Sequence, residues 1–293
     1  MIRYRSVSKI NLHLRIVGLL PDRRHELATC FQAIDYGDEL TFQESDSLTL
    51  TCDDAGLGPQ EGNLVWKAGK ILQERSGIRR GARIHLAKKV PYGAGLGGGS
   101  GDAATALVAL NRLWELGWTT QALEELGRSL GADVPFLVKG GAAWATGAGD
   151  LLQTCRALSP EVGILVATPS VAVPTAWAYG TWDQLHPDPL PESAGMTNFP
   201  ALHCQDLFLR MEELRGRVTN DFEEVVLPRY PEIRRIRDEL VEAGAATALL
   251  SGSGSSVFGL FPSREVPLSL PGKWSERGVR WRWCSPAGGP LEL

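Results

Sequence analysis

Between Val90 and Trp114 the chain reads VPYGAGLGGGSGDAATALVALNRLW, and six of the nine residues from Gly93 to Gly101 are glycine. Glycine lets the backbone take left-handed turns and come close to a ligand. The residues that follow have helical spacing, so the loop ends at a helix N-terminus, with its unpaired N–H groups and positive dipole end. That combination holds phosphate. Three polar residues elsewhere could add charge or proton chemistry, but their types alone do not assign it. Lys9 lies in an alternating stretch, where a solvated lysine is the ordinary outcome. His25 follows a turn in polar company. Asp133 stands between a helix end and Pro135, where aspartate commonly serves its own turn.

The elements that must position these residues follow from periodicity. Residues 3–17 alternate and predict one strand, or two broken near Ser8. Strand segments flank Tyr36-Gly37-Asp38, and residues 44–52 read as a further strand. Asn63 is a plausible N-cap for a helix that Gly77 ends. Residues 81–90 alternate as the strand that delivers the glycine loop. After the loop, Ala103, Leu107, Leu110 and Trp114 share one helical face. A second helix is expected over Thr120–Leu130, and Asp133 then falls in a turn or short loop. A glycine-interrupted hairpin, a buried strand at Gly163–Ala167 and a turn-helix over 171–185 come next. Residues 186–205 read as a long surface loop. A helix turns Ile233, Ile236, Leu240 and Val241 inward. The small-residue loop SGSGSS, the strand VFGLF and the alternating VRWRW complete the chain. Its 293 residues favour two domains, and a boundary between 155 and 156 is expected, where a fresh strand begins.

Composition narrows the class. The net charge of −4 argues against a protein built to coat nucleic acid. Five cysteines, widely spaced and without a C-x-x-C pair, fit reduced thiols better than a disulfide framework or zinc site. Lys9, His13 and Arg15 break up the N-terminus, so no signal peptide is read. No window is long and apolar enough for a membrane span. A cytoplasmic protein, monomeric or weakly dimeric, with no nucleic-acid or membrane partner is expected.

Three glycine-loop families compete. The P-loop needs a lysine after its glycines, and none follows here. The dinucleotide pattern G-x-G-x-x-G is formally present at Gly93, Gly95 and Gly98. Its context is wrong: the preceding strand is short and amphipathic, Pro91 interrupts the approach, and Glu115 falls at a helix end. A hydride-transfer enzyme and a non-catalytic nucleotide-binding protein remain as alternatives of other classes.

The third family is met by resemblance. PYGAGLGGGSGDAA is similar to the phosphate loop of the GHMP kinases, Pro-x-x-x-Gly-Leu-Gly followed by small residues and alanines at a helix start. Pro91, Gly95, Leu96, Gly97, Ser100, Ala103 and Ala104 match that pattern. The Gly-Leu-Gly-Gly-Gly form resembles the branch of the family in the methylerythritol phosphate route to isoprenoids. SKINLHLRI, PDRRHELATCFQAI, GADVPF at 131–136, NDFE at 220–223 and SGSGSSVFGLF at 251–261 match in the same order. Two positions depart: Gly101 stands where the family commonly has serine, and Arg24 where it has tyrosine.

The resemblance implies an α/β protein with an N-terminal ATP-binding domain (1–155) and a ferredoxin-like C-terminal domain (156–293). It implies transfer of the γ-phosphate of ATP, with Mg2+, to the 2-hydroxyl of a cytidine-diphosphate-linked methylerythritol. Asp133 would accept or orient the hydroxyl proton, and Lys9 would counter charge beside it. The ATP site would comprise Pro91, Tyr92, Gly93, Ala94, Gly95, Leu96, Gly97, Gly98, Gly99, Ser100 and Gly101, with Asn63 on the adenine side. Asn11, His25 and Tyr179 would bind the substrate, Tyr179 by stacking on cytosine. No protein side chain is assigned to the metal.

Overall fold

A computed structural model describes residues 1–187, 218–265, 267 and 269–293. The alternating N-terminal stretch forms β1 (Ile2–Arg5) and β2 (Ser8–Leu19), broken at the buried Ser6 and Val7. β3 (His25–Ile34) pairs antiparallel with β2. The single strand expected over 44–52 is instead the end of β4 (Glu39–Ser45) and a separate β5 (Thr49–Cys52). The polar turn formers Asp46 and Ser47 divide them.

Asn63 caps α1 (Leu64–Ser76) by accepting from the Val65 N–H at 2.9 Å, and Gly77 ends it in a left-handed conformation. β6 (Gly81–Ala87) stops short of the expected residue 90. The reason is local. The Asp38 carboxylate takes the N–H groups of Lys89 and Val90, which are thus withdrawn from any ladder.

The glycine loop leads into α2 (Gly98–Leu113), whose Ala103, Ala104, Ala106, Leu107 and Leu110 are wholly buried. α3 (Thr120–Gly127) follows. The turn expected at Asp133 opens a short helix, α4 (Val134–Lys139). Pro135 occupies its first turn, where the missing N–H costs nothing, so the proline starts a helix there instead of preventing one. β7 (Ala142–Thr146) and β8 (Leu151–Cys155) form the glycine-interrupted hairpin.

The second half runs β9 (Gly163–Thr168), α5 (Thr175–Leu185), α6 (Glu223–Arg229), α7 (Pro231–Glu242), β10 (Thr247–Leu250), β11 (Val257–Phe261), α8 (Ser269–Glu276) and β12 (Arg280–Cys284). Of the surface loop expected at 186–205, residues 188–205 lie outside the described residues. The tail carries β13 (Leu291–Glu292).

The described residues form three sheets. The first has the order β13-β1-β4-β6-β5, the second β2-β3-β7-β8 and the third β10-β11-β9-β12. The third is antiparallel throughout and has the strand order of a ferredoxin-like βαββαβ unit. Among the described strands only β5 and β6 pair in parallel, which is not the doubly wound sheet a dinucleotide site requires. A boundary at 155/156 leaves one segment on the wrong side. β13 pairs with β1, and the Ala287 N–H donates to the Ala33 carbonyl at 2.9 Å, so the chain end returns to the first half.

β2 also binds the second half. Leu14 N–H donates to Thr219 O at 2.8 Å, and Thr219 N–H donates to His13 Nδ1 at 3.2 Å. The His13 ring is buried against Trp144, and its Nε2 has no hydrogen-bond partner among the described residues. Burial, aided by the Arg15 charge, brings His13 from the usual 6.5 down to about 4. Between these values the unfolded chain binds a proton that the folded chain refuses, so stability falls as pH drops through that window. His13→Gln keeps an acceptor for Thr219 without the titration. Urea unfolding at pH 7 and pH 5 should show the wild type losing about 2 kcal/mol more than the variant between the two. An identical loss would refute the assignment.

Candidate active site

The glycine loop is held by the carbonyl oxygens of its own backbone. Lys9 N–H donates to Leu96 O at 2.9 Å, Ser256 N–H to Ala94 O at 3.1 Å, and Ser251 Oγ and Lys9 Nζ to Gly95 O at 2.9 and 3.0 Å. Oxygens that would repel a phosphate are therefore occupied by donors. Gly97 caps α2, and its first helical bond is Gly101 N–H to Gly97 O at 2.9 Å. The N–H groups of Gly98, Gly99 and Ser100 have no acceptor within the helix and remain for an anion.

Two glycines of this region are required by contact. At Gly95 (φ +79°) a Cβ would lie 2.0 Å from Ser251 O, and at Gly101 it would lie 1.9 Å from Val7 O. The departure at Gly101 thus has a physical cause in this chain, because α2 approaches the β1–β2 junction too closely for a serine.

Lys9 is the centre of the polar network. It is 5% exposed on β2, and its ammonium donates to Asn11 Oδ1 at 2.7 Å as well as to Gly95 O. Asp133 Oδ2 stands 4.0 Å from the ammonium, and the Phe31 ring centroid lies 5.5 Å from it. Burial lowers the Lys9 pKa below the usual 10.5, and the Asp133 charge pulls it part of the way back. Asp133 precedes α4 but makes no side-chain capping bond, so its carboxylate stays partly exposed and open to a ligand. Gly97 (φ +66°) lies against both: a Cβ there would come 3.2 Å from Asp133 Oδ2 and 3.3 Å from Lys9 Cγ.

Asn11 is largely committed. Its Oδ1 accepts from Lys9 and from the Gly252 N–H (2.9 Å), and its Nδ2 donates to Thr29 Oγ1 (2.8 Å). One amide hydrogen remains for a substrate hydroxyl. His25 and Tyr179 meet as stacked rings, 4.5 Å apart and 18° from parallel. His25 Nε2 is 2.7 Å from Asp183 Oδ1, and Phe222 backs Tyr179 edge-on at 4.8 Å. Burial, with the Asp133 charge, pushes the Tyr179 phenol up to about 12, so it is a neutral hydrogen-bonding ring at physiological pH. Arg24 is exposed and pairs with Asp22 at 2.8 Å.

A cavity of about 500 Å³ lies against the start of the loop, lined by Lys88–Ala94, Asp53, Asp54, Thr168–Ala172, Ser255 and Arg280. Pro91, Tyr92, Gly93 and Ala94 face it, and Tyr92 is 81% exposed at its edge. Asn63 does not line it; its side-chain oxygen is used as the α1 cap. Beneath the loop, Lys88 Nζ is bonded to both Asp38 and Asp102. Burial and the Asp38 charge push the Asp102 carboxyl above the usual carboxylate range, against the pull of the Lys88 ammonium. Sequence reasoning missed this cluster and Thr29; Ser251 and Asn220 lie in the SGSGSS and NDFE segments that it matched to the family without assigning either residue a role. The cluster's signal was available: Asp38, Lys88 and Asp102 are charges bordering apolar runs.

Comparison with known proteins bears on this geometry. Residues 63–141 match the family GHMP kinases N terminal domain, and residues 198–280 match GHMP kinases C terminal. A 4-diphosphocytidyl-2-C-methyl-D-erythritol kinase of Chloroherpeton thalassium is 43% identical over 89% of each chain. The chain belongs to the GHMP kinases, among the 4-diphosphocytidyl-2-C-methyl-D-erythritol kinases. A Gloeobacter violaceus protein of that name is 38% identical over 90% of this chain and 86% of its own. A crystal structure of a 4-(cytidine 5'-diphospho)-2C-methyl-D-erythritol kinase superposes with a TM-score of 0.75 at 29% identity, covering 97% of this chain and 100% of that one. A homoserine kinase from Cytophaga hutchinsonii shares the fold, with a TM-score of 0.74 at 22% identity over 100% of this chain and 97% of its own.

For this GHMP kinase, the Gly101 contact makes a direct test. Gly101→Ser should destabilise the protein by about 2 kcal/mol or more through overpacking, read as a lower thermal midpoint, and should weaken ATP binding. An unchanged midpoint would show that the β1–β2 junction yields to the side chain.

Proposed function

We propose that the protein transfers the γ-phosphate of ATP to the 2-hydroxyl of 4-diphosphocytidyl-2-C-methyl-D-erythritol, a step towards isoprenoids. The observation that carries this reading is the convergence of the Asp133 carboxylate, the Lys9 ammonium and Gly97 of the phosphate loop. Phosphoryl transfer needs positioning and charge stabilisation more than covalent help from the protein. The free N–H groups at the start of α2 hold the ATP phosphates. Asp133, open to the site, takes or orients the proton of the attacking hydroxyl. Lys9 stabilises negative charge on the transferring group.

The cytidine end is assigned to His25 and Tyr179, with Tyr179 supplying the stacking face and Asp183 fixing the His25 ring. The remaining Asn11 hydrogen serves the polyol. The 500 Å³ cavity suits the nucleotide end of ATP, beside Tyr92. A magnesium ion bound with ATP would supply charge neutralisation at the phosphates. Among the described residues no three His, Cys, Asp or Glu side chains gather to hold a metal. The fit is therefore to an ion carried by the nucleotide, with the Ser100 hydroxyl as the available loop ligand.

Among the described residues no helix is long and apolar enough to cross a membrane. An ATP-dependent enzyme on a water-soluble, charged substrate suits the cytoplasm, as a monomer or weak homodimer with an N-terminal ATP-binding and a C-terminal ferredoxin-like domain.

A coupled ADP assay offering the cytidine-linked substrate beside homoserine and mevalonate should give turnover with the first alone. Preference for either other alcohol would overturn the substrate assignment. Asp133→Ala and Lys9→Ala should each lower kcat by about 10²-fold or more. Near-wild-type turnover in a folded Asp133→Ala protein would remove the mechanism.

A further inference from the structure

Asn220 is buried at 4% exposure, some distance along the chain from every residue assigned above. Its Nδ2 donates to Leu250 O at 2.7 Å and to Gly252 O at 2.8 Å, and its Oδ1 accepts from the Phe222 N–H at 3.0 Å. Both amide hydrogens and one acceptor site of its oxygen are thus spent on backbone. The segment that carries it is fixed to β2 on both sides: Leu14 N–H donates to Thr219 O (2.8 Å) and Asp221 N–H to Leu14 O (3.0 Å). Glu223 Oε1 accepts from the Leu250 N–H at 2.8 Å. The start of the 250–252 turn is therefore held at three backbone groups by two side chains three residues apart.

That turn reaches the reacting residues. The Gly252 N–H donates to Asn11 Oδ1 at 2.9 Å, and the same oxygen receives the Lys9 ammonium at 2.7 Å. Ser251 Oγ and Lys9 Nζ share the Gly95 carbonyl. The Lys9 ammonium has three hydrogens; with Asn11 and Gly95 taking two, the third is left on the side of Asp133. A shift of Gly252 would free Asn11 to rotate, and the direction of the Lys9 donor would change with it.

We propose that Asn220 is a positioning residue for phosphoryl transfer, aiming the Lys9 ammonium through Gly252 and Asn11. It touches neither ATP nor the alcohol. Its effect belongs on kcat, because a small misplacement at the reacting centre costs rate more than binding. The role rests on the reading of Lys9 and Asp133 as the reacting pair.

The test is Asn220→Asp, which keeps the shape but sets an oxygen against the Leu250 and Gly252 carbonyls. Amide hydrogen exchange at Gly252 comes first and needs no substrate. Protection should fall in the variant, and unchanged protection would overturn the proposal whatever the enzyme phosphorylates. Steady-state kinetics follow on the alcohol that the wild type turns over, so failure of the cytidine-linked substrate registers separately in the wild-type arm. We expect kcat to fall about tenfold or more with little change in KM for ATP. Combined with Asn11→Ala, Asn220→Asp should add little further loss, since residues acting as one unit are not additive. Losses that multiply, or a KM rise at unchanged kcat, would make Asn220 merely structural. Should Asn220→Asp fail to fold, Asn220→Ser, which keeps one donor, goes through the same exchange measurement and the same cycle.

Discussion

The structure depends on one buried charge. Lys9 lies inside the protein at 5% exposure, where an isolated ammonium would be strongly disfavoured. Three partners from distant parts of the chain make it tolerable: Asn11 on its own strand, the Gly95 carbonyl of the phosphate loop and the Asp133 carboxylate before α4. Each partner belongs to a segment that the proposed site uses. The offset of the burial cost and the assembly of the site are therefore the same set of contacts.

Close backbone approach is the second constraint, and it explains where glycine is needed. The phosphate loop and the 251–256 loop interlock through the Ala94 and Gly95 carbonyls, and the Gly95 Cα faces Ser251 O with no room for a Cβ. At Gly101 the start of α2 lies against Val7 O. The helix that offers its N-terminus to phosphate is thus seated directly on the strand pair that carries Lys9. The second half of the chain contributes the 251–256 loop, Asn220 and Tyr179 to the same cleft, so the site is built between the two halves.

Much of the fold was legible because its signals are local. The alternation of β1 and β2, the Asn63 cap, the glycine stop at Gly77 and the apolar face of α2 all lie within short windows. The reading failed where a distant group decided the outcome. β6 ends early because Asp38, some fifty residues away, takes the Lys89 and Val90 N–H groups. β13 finds its partner at the opposite end of the chain. One failure was local: a turn or short loop was expected at Asp133, and Pro135 opens α4 there instead. At the site, Lys9, His25 and Asp133 were singled out by resemblance, since their types alone did not distinguish them from a solvated lysine, a loop histidine and a turn aspartate. Asn220 lies in the NDFE match but its task was not legible there, and Thr29 carries no signal in sequence: their meaning lies in which backbone or hydroxyl groups they meet.

The central claim is that Lys9 is a desolvated ammonium coupled to Asp133. The most direct measurement is an NMR titration of the Lys9 side chain in the free protein, repeated in Asp133→Asn. The account predicts a pKa below the usual 10.5 in the wild type and lower still in the variant, because the carboxylate that favours the charged form is gone. A Lys9 pKa at or above 10.5, or one that Asp133→Asn leaves in place, would contradict it.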